Sequence, residues 1–207
     1  DAVLPDAPIP VIEDGVALFR AENCDGIVAF GGGSVIDTAK VIGLAAANRK
    51  PARELAGYFR GLRGPGPIYA VPTTAGTGSE VTVAAVISDP DGAKKYTVAD
   101  TRIVPEMAAL DPLVMAALPP DITAATGMDA LTHAVEAYIG GWATSYTDRV
   151  ARAAVATIWQ QLPRAWRDGS DLEAREKMAL ASTWAGLAFT RANVGNVHAL
   201  AHQLGGR

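Results

Sequence analysis

The chain contains three histidines, and none of them stands alone. Asp129 and His133 lie four residues apart in Gly127-Met128-Asp129-Ala130-Leu131-Thr132-His133, and His198-Ala199-Leu200-Ala201-His202 repeats the interval. On a helix, that interval puts both side chains of a pair on one face. The two pairs offer one carboxylate and three imidazoles, a donor set suited to Zn²⁺, Fe²⁺ or Mn²⁺. A single helical histidine is more often solvated or satisfied within a core. Here the neighbours are Ala and Leu, among which an unpaired imidazole is costly. A metal or catalytic site is therefore the expectation. Spacing alone suggests a closed site of Asp129, His133, His198 and His202, which would be structural, because a catalytic metal keeps one position open. Glu136 is read as lying off the ligand face, in a structural role.

A second stretch is suited to phosphate. Gly31-Gly32-Gly33-Ser34 follows the apolar run Gly26-Ile27-Val28-Ala29-Phe30 and precedes a helical pattern from Val35 to Ala47. Glycines at a helix N-terminus let backbone N–H groups approach a pyrophosphate, and the helix dipole favours its charge. The Ser34 hydroxyl could cap the helix or bind an oxygen, and Asp37 could cap it or accept from a cofactor amide. The bland alternative is a sharp strand-to-helix turn without a ligand. The loop matches neither G-x-G-x-x-G nor a Walker A sequence. A second hydroxyl- and glycine-rich segment, Thr73-Thr74-Ala75-Gly76-Thr77-Gly78-Ser79-Glu80, ends the strand-like run Ile68–Pro72, where an open parallel sheet collects its ligands.

The elements that must carry these residues fall into two regimes. Up to about Leu118, β-type runs alternate with helical patterns: a helix around 16–20, a buried parallel strand at 26–30, a second strand at 68–72. Runs at 81–88 and 95–98 flank the turn Asp89-Pro90-Asp91-Gly92 and suggest a hairpin. After Leu118-Pro119-Pro120, Ala-rich helical patterns take over around 128–138, 148–162, 172–189 and 197–204, punctuated by Pro163 and Gly195. The expected division is a partial α/β domain over 1–119 and a partial all-α domain over 120–207. Over 207 residues, 49% are hydrophobic and 19% charged, which describes a folded globular chain. A net charge of −4 without a long basic run argues against nucleic acid or an anionic membrane as partner. No apolar run is long enough to span a bilayer. The single Cys24 fits a reducing cytoplasm and is given a structural reading. The chain opens on Asp1 rather than Met and stops at Gly205-Gly206-Arg207, and both ends read as cut.

Four ordered stretches resemble one family, the iron-containing (group III) alcohol dehydrogenases. Gly31–Lys40 resembles its phosphate loop, Pro72–Glu80 its second cofactor loop, Ala125–Glu136 its first metal helix and His198–Gly205 its second. The resemblance implies an α/β dinucleotide-binding part followed by an all-α part, the dehydroquinate synthase-like architecture, here incomplete. It implies Asp129, His133 and His198 as metal ligands, a fourth ligand histidine beyond Arg207, and His202 as a proton relay rather than a ligand. Cofactor contacts are expected from Gly32, Gly33, Ser34, Asp37, Thr73, Thr74 and Lys95, and from Leu118 within the stretch 111–118. The metal would be Fe²⁺ or Zn²⁺, and the cofactor NAD or NADP, since the ribose-binding region is absent. The implied reaction interconverts a small alcohol and its aldehyde or ketone by hydride transfer, in a cytoplasmic homodimer. The rivals are a maleylacetate reductase, glycerol dehydrogenase or dehydroquinate-synthase-like enzyme on the same scaffold, or an inert nucleotide-binding fragment. The absence of Arg and Lys at 128–138 and 197–205 favours an uncharged substrate. With its first strands missing, the strand at 26–30 is expected to expose an edge, and the chain alone to show no more than trace activity.

Overall fold

The computed structural model describes residues 3–92 and 94–204, with residue 203 described by its backbone alone. Gly205, at the end of the second histidine stretch, and the terminal residues 206 and 207 lie outside the described residues. The α/β part begins with helix α1 (Ile9–Ala21), strand β1 (Ile27–Gly31) and helix α2 (Gly33–Asn48). Strands β2 (Gly57–Tyr58), β3 (Ile68–Pro72), β4 (Ala84–Asp89), β5 (Lys94–Ala99) and β6 (Met107–Ala108) follow. One sheet has the order β1-β3-β6 and is parallel throughout, in register from Ile27 opposite Ile68 to Gly31 opposite Pro72. That register brings the glycine loop and the Thr73–Glu80 segment to the same carboxyl edge.

The apolar run at β1 is buried on one face only. Ala29 packs with Ala70 against Ile36 and Ala39 of α2, whereas Val28 and Phe30 are 69% and 61% exposed. A buried strand was expected from the unbroken run. Period-two geometry with one covering helix leaves alternate side chains in solvent. β1 is also an edge strand, paired with β3 alone among the described strands.

The second sheet, of order β2-β5-β4, contains the expected antiparallel hairpin, from Ala84 opposite Ala99 to Asp89 opposite Lys94. It starts three residues later than the sequence suggested, because Ser79–Val81 form a short 3₁₀ turn. The cause lies underneath: the Lys40 ammonium donates to the Thr82 and Ala84 carbonyls, at 2.9 Å each, and to the Thr82 hydroxyl. These bonds bend the chain into the strand.

The rest is helical: α3 (Pro120–Ile139), α4 (Ser145–Arg167), α5 (Leu172–Ala192) and α6 (Asn196–Leu204). α3 starts at Pro120, well before residue 128, with proline in the first-turn position that suits it. α4 runs through Pro163 instead of stopping there. Its last turn is secured because Ala165 is buried in the helical core and the Arg164 guanidinium donates to Gln161, Asp171 and Glu173. These tertiary bonds outweigh the single backbone bond a proline removes. Gly195 does separate two helices, α5 and α6. Alanines dominate the α3–α4–α5 core, including Ala130, Ala134, Ala154, Ala181 and Ala185, so the helix backbones approach closely. Cys24 is free and exposed.

One contact locks the helical part onto the α/β part. Gly78 has φ +62°, the left-handed conformation that favours glycine, and a Cβ there would sit 2.8 Å from the Cα of Gly186 on α5. Beside it, the Thr183 hydroxyl donates to Glu80 at 2.7 Å, and the Val83 N–H donates to the Thr190 hydroxyl at 3.0 Å. The Thr73–Glu80 loop is thereby clamped between α2 and α5.

Candidate metal centre and cofactor cavity

α3 presents Asp129 and His133 on one face, and α6 brings His198 up to them. Each of the three offers a ligand atom within 4.8 Å of the others. Nε2 of His198 lies 3.4 Å from Oδ1 of Asp129. Metal–ligand bonds of about 2.0–2.2 Å at tetrahedral angles place donor atoms roughly 3.3–3.6 Å apart, so this separation fits one small ion. The rings of His133 and His198 stack at 4.2 Å, and Phe189 closes the other face of His133 at 4.1 Å. Nδ1 of His133 is 3.3 Å from the Gly76 carbonyl, which can accept its hydrogen and leave Nε2 with the lone pair. The second loop therefore orients a residue of the first metal helix.

Electrostatics sort the three groups. Burial lowers His133 to about 4, which keeps it neutral. Burial also pulls on His198, but its bonds to Asp129 and Glu136 outweigh this and raise it. For Asp129, burial acts upward, and the His198 bond and both neighbouring imidazoles overcome it, so the carboxyl stays below its usual range. His202 is lowered, mainly by burial. Its ring stands edge-on to His198 at 6.0 Å, outside the three-residue cluster. The four-ligand set suggested by spacing does not assemble among the described residues.

The cluster forms one wall of a cavity of about 480 Å³. Gly33, Ser34, Asp37, Lys95 and His202 line it too. No side chain caps α2, so the first-turn N–H groups of Gly33 and Ser34 have no capping partner at this wall. Ser34 does not act as a cap. Its oxygen instead accepts from the Asp6 N–H at 3.0 Å, and the Asp6 carboxylate pairs with Lys95 at 2.8 Å. Nor does Asp37 cap the helix: one of its oxygens accepts from the Ser79 hydroxyl at 2.5 Å and the other from the Val86 N–H at 2.8 Å. Burial pushes the Asp37 and Glu80 carboxyls up.

Gly32, Thr73 and Thr74 are not in the cavity lining. They hold the two loops together: Thr73 N–H donates to Gly31 at 3.0 Å, and a Cβ at Gly32 would come within 3.2 Å of the Thr74 hydroxyl. The tight fit at Gly33 likewise involves Thr77, which a Cβ would meet at 2.5 Å. Loop-to-loop packing explains these glycines at least as directly as ligand access. Leu118 is displaced from the cavity altogether. It packs against the helical core, and its carbonyl accepts from the buried Arg175.

The sequence reading missed Lys40, fully buried beneath the loops, although it ends the stretch Gly31–Lys40. It also misplaced Glu136. Positions 129, 133 and 136 follow the i, i+4, i+7 stripe of one helical face, and Glu136 is bonded directly to His198.

The α/β part followed by a helical part is an architecture of the dehydroquinate synthase-like type, with a cluster of three potential metal ligands beside its cavity. Residues 1–112 match the iron-containing alcohol dehydrogenase family and residues 123–207 match the C-terminal part of the Fe-containing alcohol dehydrogenase family, and the chain belongs to this family. It is 46% identical over 202 residues to the NAD-dependent methanol dehydrogenase of Bacillus methanolicus, covering 98% of this chain and 53% of that protein. It is 48% identical over 206 residues to the 1,3-propanediol dehydrogenase of Klebsiella pneumoniae, covering 100% and 53%. A crystal structure of 1,3-propanediol oxidoreductase superposes with a TM-score of 0.96 at 48% identity, covering 100% of this chain and 54% of that one. The chain thus spans about half the length of the curated relatives it matches. No described helix is long and apolar enough to cross a membrane.

Proposed function

We propose that this chain supplies the phosphate loop and three metal ligands of an NAD(P)-dependent oxidoreductase that interconverts a small uncharged alcohol and its aldehyde or ketone. The observation that carries the reading is a single cavity with the uncapped α2 N-terminus on one wall and the Asp129–His133–His198 cluster on another. When bound, a divalent ion (Fe²⁺, or Zn²⁺) supplies Lewis acidity toward an alcohol oxygen, and a nicotinamide supplies the hydride acceptor. Asp129, His133 and His198 would hold the ion. The Gly33 and Ser34 N–H groups and the Ser34 hydroxyl would hold the pyrophosphate, with Lys95 as the nearby cation. His202, at the cavity wall beside His198, would pass the alcohol proton outward. The relatives that act on methanol and 1,3-propanediol support a small uncharged substrate. In this reading residues 1–119 belong to the cofactor domain and 120–207 to the metal domain.

The test is a titration of the chain with NADH, with and without Zn²⁺ or Fe²⁺. NADH should bind without metal and more weakly to Ser34→Ala, and the ion should bind without NADH. Joined to the segments that complete its relatives, the chain should turn over small alcohols with NAD⁺ or NADP⁺. Alone, it should show no more than trace turnover. Failure to bind either NADH or a divalent ion would refute the reading.

A further inference from the structure

α3 contributes more to the candidate centre than two ligands. The Glu136 side chain is buried, and its two oxygens receive three donors, all from the start of α6. Oε1 accepts from the Val197 N–H at 2.7 Å. Oε2 accepts from the Gly195 N–H at 2.9 Å and from Nδ1 of His198 at 2.5 Å. The first two bonds satisfy backbone groups that a helix N-terminus leaves orphaned. The third has no part in capping. It acts on the ring whose far nitrogen, Nε2, lies 3.4 Å from Asp129.

An imidazole that gives its Nδ1 proton to a carboxylate has its lone pair at Nε2. Glu136 thus holds the ring at Nδ1, and the opposite nitrogen is turned toward Asp129 of the same helix. Gly195 makes the approach possible, since a Cβ there would fall 2.8 Å from Oε1 of Glu136. No other residue type fits that contact without displacing the carboxylate.

We propose that Glu136 is a positioning residue of the metal centre, fixing His198 as its Nδ1–H tautomer with Nε2 turned toward Asp129, and tying that orientation to the start of α6. The proposal rests on the metal reading above and deepens it. Outer partners of metal-bound histidines set ring orientation and ligand basicity, and their loss typically lowers metal affinity about 10–100-fold. An amide cannot replace this carboxylate. It offers one acceptor oxygen where three donors converge, so at least one donor must face its NH₂ group.

The test uses the 207-residue chain, with Zn²⁺ affinity measured by competition against a chromophoric chelator and the His198 ring followed by ¹⁵N NMR. In the unsubstituted chain, Nδ1 of His198 should carry a protected proton with and without Zn²⁺. Glu136→Gln should weaken Zn²⁺ binding by about 10-fold or more, with that proton lost or exchanging rapidly. Gly195→Ala keeps every polar group but crowds the carboxylate, and should weaken Zn²⁺ binding by a smaller factor. It also serves if Glu136→Gln does not fold. The inference is overturned if the variants lower melting temperature while Zn²⁺ affinity stays unchanged, since Glu136 would then be a helix cap only. A proton on Nε2 rather than Nδ1 overturns it as well. If the unsubstituted chain binds no Zn²⁺, the metal reading itself falls and this role with it.

Discussion

Two clusters of buried charge border the same cavity, and they are finished to different degrees. Around Lys40, the bonds close within the chain: the ammonium has three acceptor contacts, Asp37 takes Ser79 and Val86, and Glu80 takes Thr183. Around His198, only the rear is closed. Glu136 engages Nδ1 of His198 from behind, and Nδ1 of His133 lies 3.3 Å from the Gly76 carbonyl and 3.8 Å from Asp129, while the three side chains offer atoms close to one another beside the cavity. The first cluster holds the fold, and the second leaves Asp129, His133 and His198 facing the cavity, as the proposed metal site requires. A buried polar group signals a ligand site when its partners are arranged behind it rather than around it.

Disrupting the closed cluster should have the largest effect. Lys40→Met removes the buried ammonium beside Asp37 and Glu80 and orphans two carbonyls. It should cost about 3–5 kcal/mol of stability by chemical denaturation, with Zn²⁺ affinity of the folded fraction unchanged. The same lysine gives a pH signature. Burial lowers it from the usual 10.5 to about 8, so the unfolded chain binds more protons between those values. The full penalty of burying the charge is present below pH 8 and is relieved as pH rises toward 10.5. Relative to Lys40→Met, which cannot titrate, the unsubstituted chain should gain stability across that window, by up to about 3 kcal/mol. A flat difference between the two chains would place the ammonium in a more solvated setting.

Smaller effects probe how the two clusters are joined. Gly78→Ala meets both a left-handed φ and the Gly186 backbone, and should cost about 1–3 kcal/mol in a thermal melt. It should also loosen His133, because the Gly76 carbonyl belongs to the same loop. The smallest effect is expected at the other wall. Ser34→Ala removes one hydroxyl from the proposed phosphate site while leaving the backbone donors, and should weaken NADH binding by about 0.5–1.5 kcal/mol.

Much of this was legible in the sequence because it rests on short-range rules. The strand–glycine–helix order, the hairpin about Asp89–Gly92 and the two i, i+4 pairs are all local patterns, and each formed. The illegible parts depend on what packs against them. The run Ile27–Phe30 is apolar throughout, so only the covering α2 decides which alternate residues are buried. Pro163 signals a stop locally, and ties from Arg164 to Asp171 and Glu173 override it. Lys40 sits beneath a loop from a distant strand, and nothing near it in sequence announces three acceptors. Leu118 was placed by family position, and the helical core claimed it. Glu136 is different: its i+7 spacing from Asp129 was available, and attention to the i, i+4 pairs alone hid it.

In the proposed centre, Asp129, His133 and His198 form a three-ligand divalent site from which His202 stands apart. Zn²⁺ titration of the chain beside His198→Ala and His202→Ala tests it directly. The account predicts that His198→Ala loses more affinity than an outer partner carries, over about 100-fold, while His202→Ala stays within about twofold of the unsubstituted chain. Equal losses in the two variants would contradict it and restore the closed four-ligand site.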